Sequence, residues 1–190
     1  MRANLTKKGD ISHGTKRFGG YPGLTFTAKK IKQFIPASNI YVEPFAGLGS
    51  TIEFKHRKIV CNDLSDYAVG YLKSRYGMFS EIEITQEDFK DCIKRWDSAE
   101  TFFLIDPPWK HSTYNENTLT YCDRKPSQYY LELLEMVEVI MGNWIICSDA
   151  QESEIKKCLT RSKWKCKTVQ SDEKRLFGQY GKTLICSNLF

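Results

Sequence analysis

Four short apolar runs constrain this chain more than any other feature. Ile40-Tyr41-Val42, Lys58-Ile59-Val60-Cys61, Thr101–Ile105 and Trp144-Ile145-Ile146-Cys147 are too short for helices and too uniformly apolar for half-exposed strands. They read as strands buried on both faces, and the polar stretches between them read as helices near 66–77, 87–96, 126–142 and 151–160. Such alternation predicts an α/β architecture with a parallel sheet covered on both sides. A further helix is expected from Ala28, with Ile31, Phe34 and Ile35 on one face and Pro36 ending it. The end of the chain differs. Trp164-Lys165-Cys166-Lys167-Thr168-Val169 alternates, and Lys182-Thr183-Leu184-Ile185-Cys186-Ser187 follows a glycine-bearing polar loop, so a C-terminal antiparallel hairpin is predicted. Residues 1–25 are polar, basic and glycine-rich and read as an arm.

With 190 residues, 41% of them apolar, the expected organisation is a single domain spanning 1–190. No run approaches the roughly 18 apolar residues of a membrane span, and the first residues lack the apolar middle of a secretion signal. A soluble, cytoplasmic protein without membrane association is therefore expected. Seven cysteines, an odd number with no Cys-x-x-Cys pair, indicate neither a zinc cage nor a disulfide framework. Reduced, mostly buried thiols and no metal site are the reading. The net charge of +5 suits a polyanionic partner and equally suits any soluble protein kept away from neutrality.

Two segments carry chemistry. The first run passes into Glu43-Pro44-Phe45-Ala46-Gly47-Leu48-Gly49-Ser50, which places glycines where a strand hands over to a helix. A ligand can approach such a backbone closely, although a tight turn needing small residues would use the same letters. At the end of the next run, Asn62-Asp63-Leu64 sets a carboxylate where an open parallel sheet holds a ribose; an N-cap for the following helix is the structural alternative.

The second segment, Asp106-Pro107-Pro108-Trp109, leaves the third run directly. An aromatic amine is a weak nucleophile because its lone pair is delocalised into the ring. The Asp106 carboxylate and the Pro107 carbonyl can accept from both amino hydrogens and localise that pair, the prolines stiffen the backbone, and Trp109 offers a stacking face. A base in a duplex would have to be flipped out to reach such a pocket. A capped diproline turn is the bland alternative. Ring-carbon methylation through a cysteine is not indicated, because no Pro-Cys pair is present.

In letters and in order, these segments resemble the D12 class of adenine-specific DNA methyltransferases, the group that includes Dam-like enzymes. Lys16-Arg17-Phe18-Gly19-Gly20 is similar to the class's N-terminal Lys-x-x-Gly-Gly motif. Tyr41 to Ser50 resembles its glycine motif, Asn62-Asp63-Leu64 its ribose motif, Asp88-Phe89 its Asp-Phe segment and Asp106-Pro107-Pro108-Trp109 its catalytic motif. The resemblance extends to the closing Thr183-Leu184-Ile185-Cys186-Ser187-Asn188. It implies a Rossmann-like methyltransferase fold, S-adenosylmethionine as cofactor and methyl transfer to adenine N6 in DNA. It also implies cofactor contacts from Lys16, Phe18, Gly19, Gly20, Glu43, Pro44, Phe45, Ala46, Gly47, Gly49, Ser50, Asn62, Asp63, Leu64, Asp88, Phe89 and Asp106. Read without the resemblance, Asp88-Phe89 is an ordinary helix start.

The sequence departs from the class in three places. Tyr21 stands where lysine usually follows Gly-Gly, so Lys16 or Lys29 would have to meet the cofactor carboxylate. Trp109 replaces the usual tyrosine. The segment 63–88, about 25 residues, has room for a helix and a connection and none for an inserted target-recognition region. Contacts to nucleic acid would come instead from the polar loop 111–125, with Arg124 and Lys125, or from the hairpin tip with Lys174, Arg175 and Lys182; a lid and a solvated tip are the alternatives. An RNA adenine methyltransferase and a catalytically silent nucleic-acid-binding fold are the rival functions.

Overall fold

The structure, a computed structural model, describes residues 28–108, 127–149, 164–174 and 180–189. The strands are β1 (Ile40–Glu43), β2 (Lys58–Asn62), β3 (Ile82–Thr85), β4 (Thr101–Ile105), β5 (Asn143–Asp149), β6 (Lys165–Lys174) and β7 (Tyr180–Ser187). The helices are α1 (Ala28–Ile31, continued by a 3-10 turn Lys32–Phe34), α2 (Asp66–Tyr76), α3 (Phe89–Trp96) and α4 (Ser127–Val139). The strands form one sheet in the order β3-β2-β1-β4-β5-β7-β6. Pairing is parallel from β3 through β5, and β7 runs antiparallel to both β5 and β6.

Strict alternation within each strand divides the core in two. Tyr41, Ile59, Cys61, Phe102, Leu104, Ile145, Cys147 and Ile185 face one side, where Ala28 and Ile31 of α1 and Leu72 and Tyr76 of α2 cover them. Val42, Val60, Phe103, Ile105 and Ile146 face the other, against Phe89 and Ile93 of α3 and Leu133 and Val137 of α4. All five residues of β4 are buried, which is why that run carries no polar alternation.

The helix ends follow local chemistry. Ser65 caps α2 by accepting from the Ala68 amide, and Asp88 caps α3 by accepting from the Lys90 amide. In α1, α-helical geometry lasts only through Ile31 and tightens to a 3-10 turn before Pro36, which cannot continue the ladder.

Two sequence expectations change. Segment 63–88 holds more than a helix and a connection, because β3 lies at its end. Glu81-Ile82-Glu83-Ile84-Thr85 alternates, but only Ile82 is buried, as suits a sheet-edge strand whose apolar content is low. The cysteines are not all reduced either: Cys166 and Cys186 stand directly opposite each other in the β6·β7 ladder, with Cα atoms 4.1 Å apart, and are joined in a disulfide. Cross-strand pairing brings such side chains together, and the separation of 20 residues did not reveal it. Cys61, Cys92 and Cys147 are buried thiols outside any disulfide, as expected. The arm 1–25, the loop 111–125 and the helix near 151–160 lie outside the described residues.

Among the described residues no helix is long and apolar enough to cross a membrane, and no cluster of His, Cys, Asp or Glu could hold a metal ion.

Candidate functional site

The strand order reverses between β1 and β4. From β1 the chain steps outward through β2 to β3, then returns to β4 on the other side of β1. At such a switch point the connections leave in opposite directions and open a crevice beyond the carboxyl ends of the strands. The glycine turn after β1 and Asp106-Pro107-Pro108 after β4 lie there.

The glycine turn is built by hydrogen bonds to β2. The Ala46 amide donates to the Asn62 carbonyl at 2.8 Å, the Gly49 amide to the Ala46 carbonyl at 2.8 Å, and the Gly47 amide to Asp63 Oδ2 at 2.9 Å. Gly47 and Gly49 take positive φ, 51° and 68°, a region that side chains disfavour. Their surroundings differ. A Cβ on Gly49 would come within 2.6 Å of Ile52 Cδ1 and 3.0 Å of Leu72 Cδ2, whereas a Cβ on Gly47 would meet nothing within 4 Å. Gly49 is thus required by packing onto α2, and Gly47 leaves backbone open to an approaching group.

Asp63 is not the helix cap, since Ser65 fills that position. Its Oδ1 accepts from the Ser65 amide at 2.9 Å while Oδ2 takes the Gly47 amide, and burial raises its pKa against the lowering effect of those bonds. Asn62 is 1% exposed and fully engaged. Its Nδ2 donates to the carbonyls of Pro44 (3.0 Å) and Glu87 (2.9 Å), and its Oδ1 accepts from Thr85 Oγ1 and the Glu87 amide, both at 2.9 Å. This amide clasps the glycine turn, β3 and the start of α3 together. Leu64 is exposed beside it, and Ser50 is partly buried.

Asp88 and Phe89 follow β3 at the start of α3. The Asp88 carboxylate is used as the α3 cap, and the Phe89 ring is 1% exposed, packed between Phe45 (5.4 Å) and Tyr129 (5.1 Å). Phe45 is the more accessible ring of that pair.

Asp106, Pro107 and Pro108 continue from β4, with Asp106 and Pro108 partly buried and Pro107 buried. Tyr130 of α4 donates to the Pro108 carbonyl at 2.6 Å and anchors the turn from the helix side. Sequence reading missed this tyrosine, whose only signal was its place in a polar-faced helix. Burial, with the nearby Glu43 carboxylate second, pushes Asp106 up to about 8.

Glu43 itself is 3% exposed at the end of β1, and its Oε1 accepts from Tyr41 OH (2.7 Å) and Thr51 Oγ1 (2.6 Å). Burial raises it to about 7 against the lowering influence of Thr51, Tyr41 and the Lys32 ammonium.

Lys16, Phe18, Gly19, Gly20, Trp109, Arg124, Lys125 and Arg175 lie outside the described residues. Lys174 and Lys182 lie in β6 and β7 by their backbone alone.

No family model matches this chain, and no curated protein matches it in sequence. Solved structures do match. The N-methyltransferase NodS from Bradyrhizobium japonicum superposes with a TM-score of 0.58 over 96% of this chain and 97% of its own, at 12% identity. TrmK from M. capricolum, solved with S-adenosyl-homocysteine, gives 0.56 over 86% and 67% at 12% identity. The provisionally assigned RNA methyltransferase PH1948 from Pyrococcus horikoshii gives 0.50 over 85% and 79% at 11% identity. The fold is the Rossmann-like fold of the S-adenosylmethionine-dependent methyltransferases, with its antiparallel hairpin at the C-terminal edge of the sheet.

Proposed function

We propose that this chain is an S-adenosylmethionine-dependent methyltransferase acting on the exocyclic N6 amine of adenine in DNA. The observation that carries the reading is the placement of Asp106-Pro107-Pro108 at the carboxyl end of β4, beside the glycine turn that follows β1. A turn of that composition is not needed to leave a sheet. Its position at the switch point supports a role in which Asp106 and the Pro107 carbonyl are hydrogen-bond acceptors for a ligand bound beyond the strand ends.

The residues present fit the cofactor. Gly47 leaves open backbone at the turn, Asp63 has lone pairs beyond its two amide bonds for ribose hydroxyls, and the Phe45 ring offers an apolar wall. S-adenosylmethionine supplies an electrophilic methyl on a sulfonium. Asp106 and the Pro107 carbonyl then accept from the target amine and orient its lone pair toward that methyl, while Tyr130 fixes the turn through Pro108. Trp109 is assigned the stacking face for the base.

The rival is an RNA adenine methyltransferase, favoured by the short 63–88 segment, which holds α2 and β3 and no inserted domain for reading a duplex. PH1948 among the structural relatives adds weight to it. Transfer of labelled methyl to duplex DNA, single-stranded DNA and RNA, followed by nucleoside analysis, separates the two. N6-methyldeoxyadenosine is expected, label confined to RNA would replace the DNA reading, and no label from protein that binds cofactor would leave a silent fold.

A further inference from the structure

The Cys166–Cys186 disulfide has no part in the proposed reaction, and its two halves differ in access. Cys166 is exposed on β6, the last strand of the sheet. Cys186 is 0% exposed on β7, between Cys166 on one side and Ile146 of β5 on the other. One half of the bond is therefore within reach of a thiol in solution while the other is packed into the sheet. The remaining described cysteines do not compete with it. Cys61, Cys92 and Cys147 are buried, and burial pushes Cys92 up to about 12 and the other two well above the ordinary thiol value, so none supplies a thiolate near neutral pH.

The hairpin also has contacts that hold its register without the covalent link. β6 and β7 pair continuously from Lys165 opposite Ser187 to Gln170 opposite Lys182. Val169 is buried on the face that α1 covers, and the Lys167 ammonium lies 5.6 Å from the centroid of the Phe34 ring. On the other face Trp164 packs edge-on against Trp144 of β5, with ring centroids 4.6 Å apart. A bond open to attack from one side, in a strand pair secured by other means, can break and re-form while the chain stays folded.

We propose that Cys166–Cys186 is a reversible thiol–disulfide switch that sets how tightly β6 is held to the sheet. The inference is independent of the methyltransferase reading. In reduction, the thiolate of a small thiol such as glutathione attacks Cys166 Sγ, and the electron pair of the S–S bond leaves with Cys186 Sγ, which takes a proton from solvent. A second thiolate attacks the small thiol's sulfur in the mixed disulfide, and Cys166 leaves and is protonated in turn. Two small thiols are oxidised to one small disulfide as the protein disulfide is reduced to two thiols; oxidation runs the same steps backward with the small disulfide as oxidant. The bond spans a sequence separation of 20 residues, so breaking it frees the opened hairpin and should raise the opened population on the order of 100-fold. β1, β2 and β4 lie beyond β5 in the sheet and should not respond.

The test is hydrogen exchange, read by mass spectrometry, on the full chain equilibrated with reduced and oxidised glutathione in varying ratio. Alkylation and peptide mapping assign the state of the pair in each buffer. The pair should pass from disulfide to dithiol and back, and the amides of β6 should exchange on the order of 100-fold faster in the dithiol form, with those of β1, β2 and β4 unaltered. Cys166→Ser, a change at an exposed position, should exchange like the dithiol form in every buffer; if that variant fails to fold by circular dichroism, the two states of the wild-type chain decide. A pair that stays oxidised in reduced glutathione, thiols that never pair in oxidised glutathione, or equal exchange in the two forms overturns the switch. Loss of protection throughout the sheet on reduction also overturns it, because the bond would then be a staple the fold requires.

Discussion

The Gly47 amide donates to Asp63 Oδ2 at 2.9 Å, so the turn after β1 and the end of β2 are one hydrogen-bonded unit. Asp63 therefore serves the turn as well as any ribose. Asp63→Ala leaves the Gly47 and Ser65 amides without their acceptor, and cofactor affinity should fall by about 1–3 kcal/mol. Titration of the ligand checks this, and unaltered affinity would remove Asp63 from the site.

Asn62 makes a different prediction, because all four of its side-chain hydrogen bonds stay within the protein. Asn62→Ala strands two carbonyls, a hydroxyl and an amide in a nearly closed space. A loss of about 2–4 kcal/mol is expected, or a fall in Tm on the order of 4–16 °C for a chain of this size. Asn62→Asp should be no better, since it replaces both donors with a charge aimed at the Pro44 and Glu87 carbonyls. Thermal unfolding followed by circular dichroism gives the comparison.

The two glycines of the turn should separate in their effects. Gly49→Ala combines positive φ with a Cβ 2.6 Å from Ile52 Cδ1 and should destabilise by about 2–4 kcal/mol. Gly47→Ala meets only the backbone penalty of about 1–2 kcal/mol but fills the open approach, so it should cost cofactor affinity more than stability. Equal losses of stability in both variants would contradict this division.

Asp106→Ala should reduce methyl transfer by at least about 100-fold, the scale of removing one aligned acceptor or donor from a reacting centre, while cofactor binding at pH 7 changes little. Near pH 7 the carboxyl is largely protonated in the ligand-free protein, so its removal takes away little charge from the ligand. Single-turnover rates beside dissociation constants distinguish the two effects. Parallel loss of both would move Asp106 from the target amine to the cofactor.

The runs that became β1, β2, β4 and β5 were legible because both of their faces are buried, which leaves an unbroken apolar signature. Strand β3 was not, because an edge strand needs few apolar residues: Ile84 is only partly buried and the intervening positions are charged or polar. The positions of Asp63 and Asp106 just beyond strand ends were legible because each closely follows an apolar run. Tyr130 was not, since it donates a hydrogen bond from α4 to the turn after β4, and nothing in a local pattern marks a tyrosine that does so. The same limit hid the Cys166–Cys186 pair, which only strand register brings into opposition.

The buried acids also bear on stability in the absence of ligand. Asp106 and Glu43 are raised to about 8 and 7, so from their unfolded values upward the folded chain holds more protons than the unfolded one. Their contribution is fully present below the unfolded pKa and is lost as pH rises through the folded values. His56 works in the opposite sense: buried, stacked on Tyr41 and lowered to about 4, it makes the folded state gain stability as pH rises toward 6.5. The one histidine offsets only part of the two-carboxylate trend at acid pH, and that offset ends near 6.5. Between about pH 6.5 and 8 the ligand-free protein should therefore lose stability, by no more than about 1.4 kcal/mol per pH unit for each proton involved. Glu43→Gln should reduce that slope, and a Tm that stays flat or rises across the same interval would show that the two carboxylates are already ionised in the folded chain.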